Sequence, residues 1–137
     1  MSAFKDQLLA GKVAFIAGGT SGINLGIARR FAELGARVAV AGRNPEKAAN
    51  AAATIGGGAL GFSCDVRDYA ATRAVLENTA KQFGPLYIVI SGAAGNFVAP
   101  VVGLSANGFR TVVDIDLNGT FNVFRGSHEL LRNPARR

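Results

Sequence analysis

The chain has 137 residues, of which 49% are hydrophobic and 18% charged, a balance that suits one compact domain with a sizeable core and excludes a disordered tail. Eighteen glycines with no three-residue period exclude a collagen-like helix, and one Cys and one His exclude a disulfide framework, a thiolate zinc site and a His-rich metal site. Fifteen basic against nine acidic residues leave +6, but Arg132, Arg136 and Arg137 gather at the last residues, the other cations are scattered among acids and there is no Trp, so no nucleic-acid partner is expected.

Residues 1–12 contain Lys5, Asp6 and Lys12 and no long apolar run, so no targeting peptide is read there. Val13-Ala14-Phe15-Ile16-Ala17 is a short apolar run bounded by turn residues, the pattern of a strand buried on both faces. Ile23, Ile27, Phe31 and Leu34 recur at spacings of four, four and three, which makes the buried stripe of a helix that Gly35 stops. Arg37-Val38-Ala39-Val40-Ala41 is a second strand ending at Gly42. Pro45 and Glu46 start a second helix that runs to about Ile55, and Gly56-Gly57-Gly58 is a turn.

A third strand covers 60–64. A third helix runs from about Tyr69 to Phe83 and ends at Gly84-Pro85. A fourth strand covers 86–90, rich in β-branched residues, and a glycine-rich loop follows. No charge lies between Lys81 and Arg110, but Pro85, Asn96, Pro100 and Asn107 interrupt the stretch, so a buried strand and a loop are expected there, and no membrane span. The last helix is read over about 105–131, with Val112, Asp116, Thr120 and Val123 on one face. Strands alternating with helices predict an α/β fold, a doubly wound parallel sheet with helices on both sides. No linker is visible, so 1–137 reads as a single domain.

The segment Gly18-Gly19-Thr20-Ser21-Gly22-Ile23-Asn24 joins the first strand to the first helix. Helix amides point outward at such a junction and the helix dipole favours an anion, while glycines let a pyrophosphate approach the backbone. Neither G-x-G-x-x-G nor G-x-x-x-x-G-K-[ST] is present, so a tight turn without a ligand stays open on the spacing alone. The end of the second strand is where an adenosine ribose lies in such folds. An acid there suits the 2′-hydroxyl of NAD, and an arginine suits the 2′-phosphate of NADP. Gly42-Arg43-Asn44 carries the arginine and no acid, which points to NADP; the other reading of Arg43 is a solvated loop charge.

With these residues in place, the sequence resembles the short-chain dehydrogenases/reductases. Their pattern T-G-x-x-x-G-x-G is followed by the stretch from Ala17 to Asn24, with Ala17 in place of the Thr and Asn24 in place of the last Gly. Asn tolerates left-handed backbone, so the turn survives with a modified phosphate pocket, and Gly26 can supply some of the lost close packing. The resemblance implies that Gly18, Thr20, Ser21, Gly22, Ile23 and Asn24 hold the cofactor. It places Asp65-Val66 where the family's Asp accepts from the adenine amino group. Ser91-Gly92-Ala93-Ala94-Gly95 stands where the family has N-N-A-G, so Ser91, Gly92 and Ala93 are carried over by position and backbone.

The segment Asp114-Ile115-Asp116-Leu117-Asn118-Gly119-Thr120-Phe121 matches the family's central helix, N-[VL]-x-G-x-F, and puts Asp116 in the slot of the catalytic Asn. Its spacing with Val112 and Val123 argues against full exposure; the bland alternative is a helix-surface acid. Asn118 lies two positions away, on another helix face. Cys64 reads as core and His128 as surface or interface.

The stretch Gly92-Ala93-Ala94-Gly95-Asn96-Phe97, with Asp116-x-x-Gly119-Thr120-Phe121-Asn122-Val123, is similar to the 2,4-dienoyl-CoA reductases. Those enzymes carry N-A-A-G-N-F and an Asp in the Asn position, and reduce unsaturated acyl-CoA thioesters with NADPH. The resemblance implies a Rossmann-type fold, here incomplete with about four strands, an acyl-CoA substrate, a homo-oligomer packed through the helix around 105–131, and no metal. A free Cys64 fits a reducing, cytoplasmic setting. No Y-x-x-x-K is present: Tyr69 is followed at four by Arg73 and Tyr87 by Ser91. The chain therefore reads as the N-terminal part of a longer reductase, inactive alone. Two alternatives stand beside this: a 3-oxoacyl-type carbonyl reductase, and a non-catalytic nucleotide-binding or interaction module.

Overall fold

The computed structural model describes residues 5–131. The terminal cations Arg132, Arg136 and Arg137 lie outside the described residues, as do residues 1–4. The first strand, β1 (Val13–Ala17), is buried at all five positions. It lies between β2 (Arg37–Gly42) and β4 (Ile88–Ser91), and β3 (Leu60–Ser63) flanks β2, giving a parallel sheet of order β3-β2-β1-β4. A strand with neighbours on both sides and helices on both faces has no water-facing side, which is why its sequence is continuously apolar.

The period-two alternation of β1 divides the core. Ala14 and Ile16 pack with Val38, Val40, Ala28 and Ala51 on one face, under α1 (Gly22–Glu33) and α2 (Pro45–Ile55). Val13, Phe15 and Ala17 pack with Leu76 and Val123 on the other, under α3 (Tyr69–Phe83). Capping sets the helix starts. Asn44 accepts from the Lys47 amide ahead of Pro45, and Asp68 accepts from the Ala71 amide. Gly35 and Gly84, at φ 92° and 98°, take the left-handed turns that end α1 and α3.

Two strand boundaries differ from the sequence expectation. Cys64 falls just past β3, where its amide donates to the Gly42 carbonyl and the chain turns away. Leu86 and Tyr87 precede β4, because the Leu86 amide donates to Leu130 and the ladder with β1 opens at Ala14↔Ile88.

The last helix differs more. It is not one continuous α-helix over 105–131. It comprises α4 (Ala106–Val113), a π-helical turn over Asp114–Asn118, and α5 (Gly119–Ser127), with turns beyond. A π turn carries an extra residue and rotates the succeeding helix relative to a 3.6-residue period. Val112, Asp116, Thr120 and Val123 therefore do not share one buried face: Val123 is buried, Val112 and Thr120 are half-buried, and Asp116 is exposed. Gly119 sits where the π turn meets α5, and a Cβ there would lie 2.5 Å from Val66 Cγ2. No helix among the described residues is long and apolar enough to cross a membrane.

Packing and helix propensity oppose each other at Gly119, whose φ of −61° suits alanine. Propensity alone would reward Gly119→Ala by ~1 kcal/mol, whereas overpacking in a dense interior costs ~1–3 kcal/mol. Urea unfolding should show a net loss in Gly119→Ala, relieved by Val66→Ala in the same chain. A stabilised Gly119→Ala would show that the contact with Val66 relaxes freely.

Candidate functional site

All four strands run parallel, so their C-terminal ends lie along one edge. The chain passes from β1 outward through β2 and β3, then returns to β4 on the other side of β1. A crevice opens at that reversal in open α/β sheets. Here the loops after all four strands enclose a cavity of about 370 Å³.

The turn after β1 forms its floor. Gly18 has φ 73°, and a Cβ there would lie 2.6 Å from the Ala93 nitrogen and 2.7 Å from the Gly92 carbonyl carbon. Glycine is therefore required twice, by conformation and by the approach of the β4 loop. Ser21 is the N-cap residue of α1 but makes no side-chain cap hydrogen bond, so the first-turn amides of α1 have no side-chain partner. Thr20 packs on Gly42, where a Cβ would lie 2.8 Å from Thr20 Cγ2.

Past β2, Arg43 and Lys47 put two cations on the wall. Past β3, Asp65 is clasped by Arg67: Nη2 donates to Oδ2 at 2.6 Å, Nε to Oδ1 at 3.0 Å, and the Arg67 amide to Oδ1 at 3.0 Å. The Arg67 hydrogen bonds hold the Asp65 carboxyl below the usual aspartate range, against an opposing effect of partial burial. Burial pushes the Cys64 thiol up, opposed by its contact with Thr72 Oγ1 at 3.6 Å. Asn122 on α5 donates to the carbonyls of Val66 at 2.8 Å and Arg67 at 3.2 Å, which ties this loop to α5.

Past β4, the Asn24 amide donates to the Gly92 carbonyl at 2.9 Å, and the Gly95 amide donates to Asp116 Oδ1 at 2.9 Å. Thr120 Oγ1 donates to the Asp116 carbonyl at 2.6 Å, within the π turn, and Ser91 Oγ donates to Thr120 Oγ1 at 3.3 Å.

Of the residues singled out from the sequence, Gly18, Thr20, Ser21, Asn24, Arg43, Asp65, Val66, Gly92 and Ala93 line the cavity. Gly22, Ile23, Ser91 and Asp116 do not. Ile23 is 84% exposed and so does not join the buried stripe expected with Ile27, Phe31 and Leu34; it stands in the first turn of α1. Ser91 faces α5 through Thr120. Asp116 is exposed, with its carboxylate on the loop after β4. Sequence reasoning missed Lys47, a cation four residues after Arg43 on the first turn of α2, whose spacing could have revealed it. It also missed Asn122, whose partners lie more than fifty residues away. No cluster of His, Cys, Asp and Glu that could hold a metal occurs among the described residues.

Residues 12–135 match the short chain dehydrogenase family. The chain is 42% identical, over 98% of its length, to a peroxisomal 2,4-dienoyl-CoA reductase of Arabidopsis thaliana, and covers 46% of that protein. Among solved structures, a short chain dehydrogenase of Bacillus anthracis matches with TM-score 0.82 and 40% identity, over 87% of this chain and 49% of that one. A 3-ketoacyl-(acyl-carrier-protein) reductase of Brucella melitensis, complexed with NADH, matches with TM-score 0.80 and 30% identity, over 85% of this chain and 48% of that one. The chain thus spans about half the length of the relatives it matches.

The Asp65–Arg67 clasp fixes a pH dependence. The folded carboxyl titrates below its unfolded value, so between the two values the unfolded chain binds the extra proton. The stabilisation is complete above the unfolded value, about pH 4, and is lost as pH falls through the folded one. Melting temperature should fall with acid over that window, and less steeply in Asp65→Asn. Identical acid limbs in the two chains would show that the clasp contributes nothing to folding.

Proposed function

We propose that this chain, which belongs to the short-chain dehydrogenase family, binds NADPH in the cleft at the strand ends and is the cofactor-binding part of a reductase for 2,4-dienoyl-CoA thioesters. The observation that carries the cofactor reading is the pair Arg43 and Lys47 on the cavity wall at the end of β2, with no acid at that point. A guanidinium beside an ammonium suits a phosphate, where a 2′-hydroxyl would call for a carboxylate.

The site fits a dinucleotide on its own geometry. Gly18 leaves a cradle that any Cβ would fill, and the first-turn amides of α1 border it without a side-chain cap. Arg67 donates two contacts to each Asp65 oxygen, so an adenine amino group would be accepted there by sharing the carboxylate with Arg67. Bound NADPH supplies a hydride. Gly92 and Ala93 bring backbone to the opposite wall, and Ser91 holds the strand end to α5. Gly22 gives the turn its left-handed residue at φ 58°, and Ile23 contributes its backbone at the start of α1. Asp116 acts beyond the cavity rim, on the loop whose Gly95 amide it binds.

The dienoyl-CoA assignment rests on the stretch Gly92–Phe97 and on Asp116, supported by the 42% identity to a named dienoyl-CoA reductase. The likeness to a 3-ketoacyl reductase supports a second reading, a carbonyl reductase on the same cofactor site. No Y-x-x-x-K occurs within these 137 residues, so the family's type of proton donor is not among them. A free, buried Cys64 fits a reducing, cytoplasmic setting. The exposed side chains Val98, Val101, Val102, Phe109, Phe121 and Phe124 along and before the last helical stretch support self-association there.

Calorimetric titration with NADPH and NADH tests the cofactor reading. Arg43→Ala should weaken NADPH by ~1–3 kcal/mol, the worth of a hydrogen bond to a charged group, and leave NADH nearly unchanged. Equal losses for the two nucleotides would remove Arg43 from the 2′-phosphate. Sedimentation velocity tests the association, which should appear at micromolar concentration and weaken in Phe121→Ser. A monomer throughout would place no copy on that face.

A further inference from the structure

We propose that Asn24 is a positioning residue of the nucleotide cleft, energetically coupled to the glycine at position 92. The inference rests on the NADPH reading and deepens it for the same site. The patterns that this sequence resembles carry Gly at position 24 and Asn at 92; this chain carries the reverse, Asn24 and Gly92. The structure brings the two departures into contact. Asn24 Nδ2 donates to the Gly92 carbonyl at 2.9 Å. A Cβ at Gly92 would collide with the same carboxamide, 2.6 Å from its carbon and 2.7 Å from its oxygen. Gly92 is not among the residues of positive φ, so its backbone accepts any residue, and the Asn24 side chain fills the space one would need.

Both polar groups of Gly92 are thus held from the β1–α1 side, the amide by the Ala17 carbonyl at 3.0 Å and the carbonyl by Asn24. Three residues on, the loop is held from the opposite side, by Asp116 on the Gly95 amide. Gly92 and Ala93 between these anchors form one wall of the cleft. A wall fixed before the ligand arrives loses less entropy on binding, so the anchor contributes to affinity without touching the reacting atoms.

Calorimetric titration of the 137-residue chain with NADPH, alongside the melting temperature of the ligand-free chain, tests the role. Asn24→Ala removes the bond, and Asn24→Asp keeps the shape but presents an acceptor to the Gly92 carbonyl. Each should weaken NADPH at least about fivefold, in line with one lost hydrogen bond, with the melting temperature little changed. Gly92→Ala should weaken NADPH similarly by displacing the carboxamide, and should cost little further in a chain that already carries Asn24→Gly, because the bond is then already gone. A purely structural role would lower the melting temperature and leave the affinity alone, which would overturn the proposal. Equal losses from Gly92→Ala with Asn24 and with Asn24→Gly would also overturn it. Failure of the unsubstituted chain to bind NADPH would overturn the cofactor reading and this role together; binding that is unaffected in Asn24→Ala overturns this role alone.

Discussion

The approach of two backbones at Gly18 is the constraint on which the rest of the site depends. β1 is the centre of the sheet, and its C-terminal turn must clear the loop leaving β4 on one side and the end of β2 on the other. A Cβ at Gly18 would come closer to the Ala93 backbone than real Cβ atoms do, so no side chain could stand there without parting the turn from that loop. The same crowding recurs at the neighbours. Gly19 lies against Val40, where a Cβ would be 2.7 Å from Cγ1, and Gly42 lies against Thr20. The glycines of this edge therefore bring the loops together around the cavity.

The π turn has the opposite effect on the long helical stretch. A continuous α-helix would have aligned Asp116 with Val112 and Val123 on the core side. The extra residue lets α5 bury Val123, Gly126 and Ser127 on its core side and Asn122 against the loop after β3, while Asp116 turns to the loop after β4. Thr120 closes the widened turn by donating to the Asp116 carbonyl, and Ser91 reaches the same hydroxyl from β4. A hydrogen-bonded chain thus runs from the sheet through Thr120 to the backbone of Asp116, and a second contact joins its side chain to Gly95. Asp116 is held at main chain and side chain by different elements, which defines its place without burying it.

The features legible in the sequence arise from local physics. β1 and β2 announce themselves as apolar runs because both faces are covered, and α1 shows its stripe from Ile27 to Leu34 because one face meets the sheet. Pro45, Gly35 and Gly84 mark helix ends by backbone geometry alone. The loops that line the cavity are legible as positions after strands, which is why Gly18, Arg43, Asp65 and Ala93 can be found together. The π turn is not legible, because Asp114 to Asn118 differ in no compositional way from α-helical residues and the wider turn depends on what α5 packs against. Asn122 is invisible for a related reason: its partners Val66 and Arg67 are distant in sequence, and a lone Asn in a helix reads as surface. Ile23 shows that a motif position does not specify which way a side chain points; on α1 it faces solvent.

The charges around the cleft are asymmetric, and the asymmetry is built from pairing rather than from number. Asp65 is the only acid lining the cavity among the described residues, and Arg67 already occupies its carboxylate with both guanidinium and amide. Its field on Arg43 and Lys47 is thereby partly offset, leaving the β2 end positive. The β1 end adds the N-terminus of α1, whose dipole has the same sign. The β4 end carries Gly92, Ala93 and Ala94, which bear no charge. A ligand with phosphates toward one end and an uncharged ring at the other gains attraction in one orientation and loses it in the reverse. Close Coulomb terms of this kind survive in a partly enclosed site where exposed pairs are screened. The arrangement therefore selects orientation as well as charge. A ligand in that orientation would lay its uncharged end along the Gly92–Ala94 wall, next to the loop that Asp116 holds.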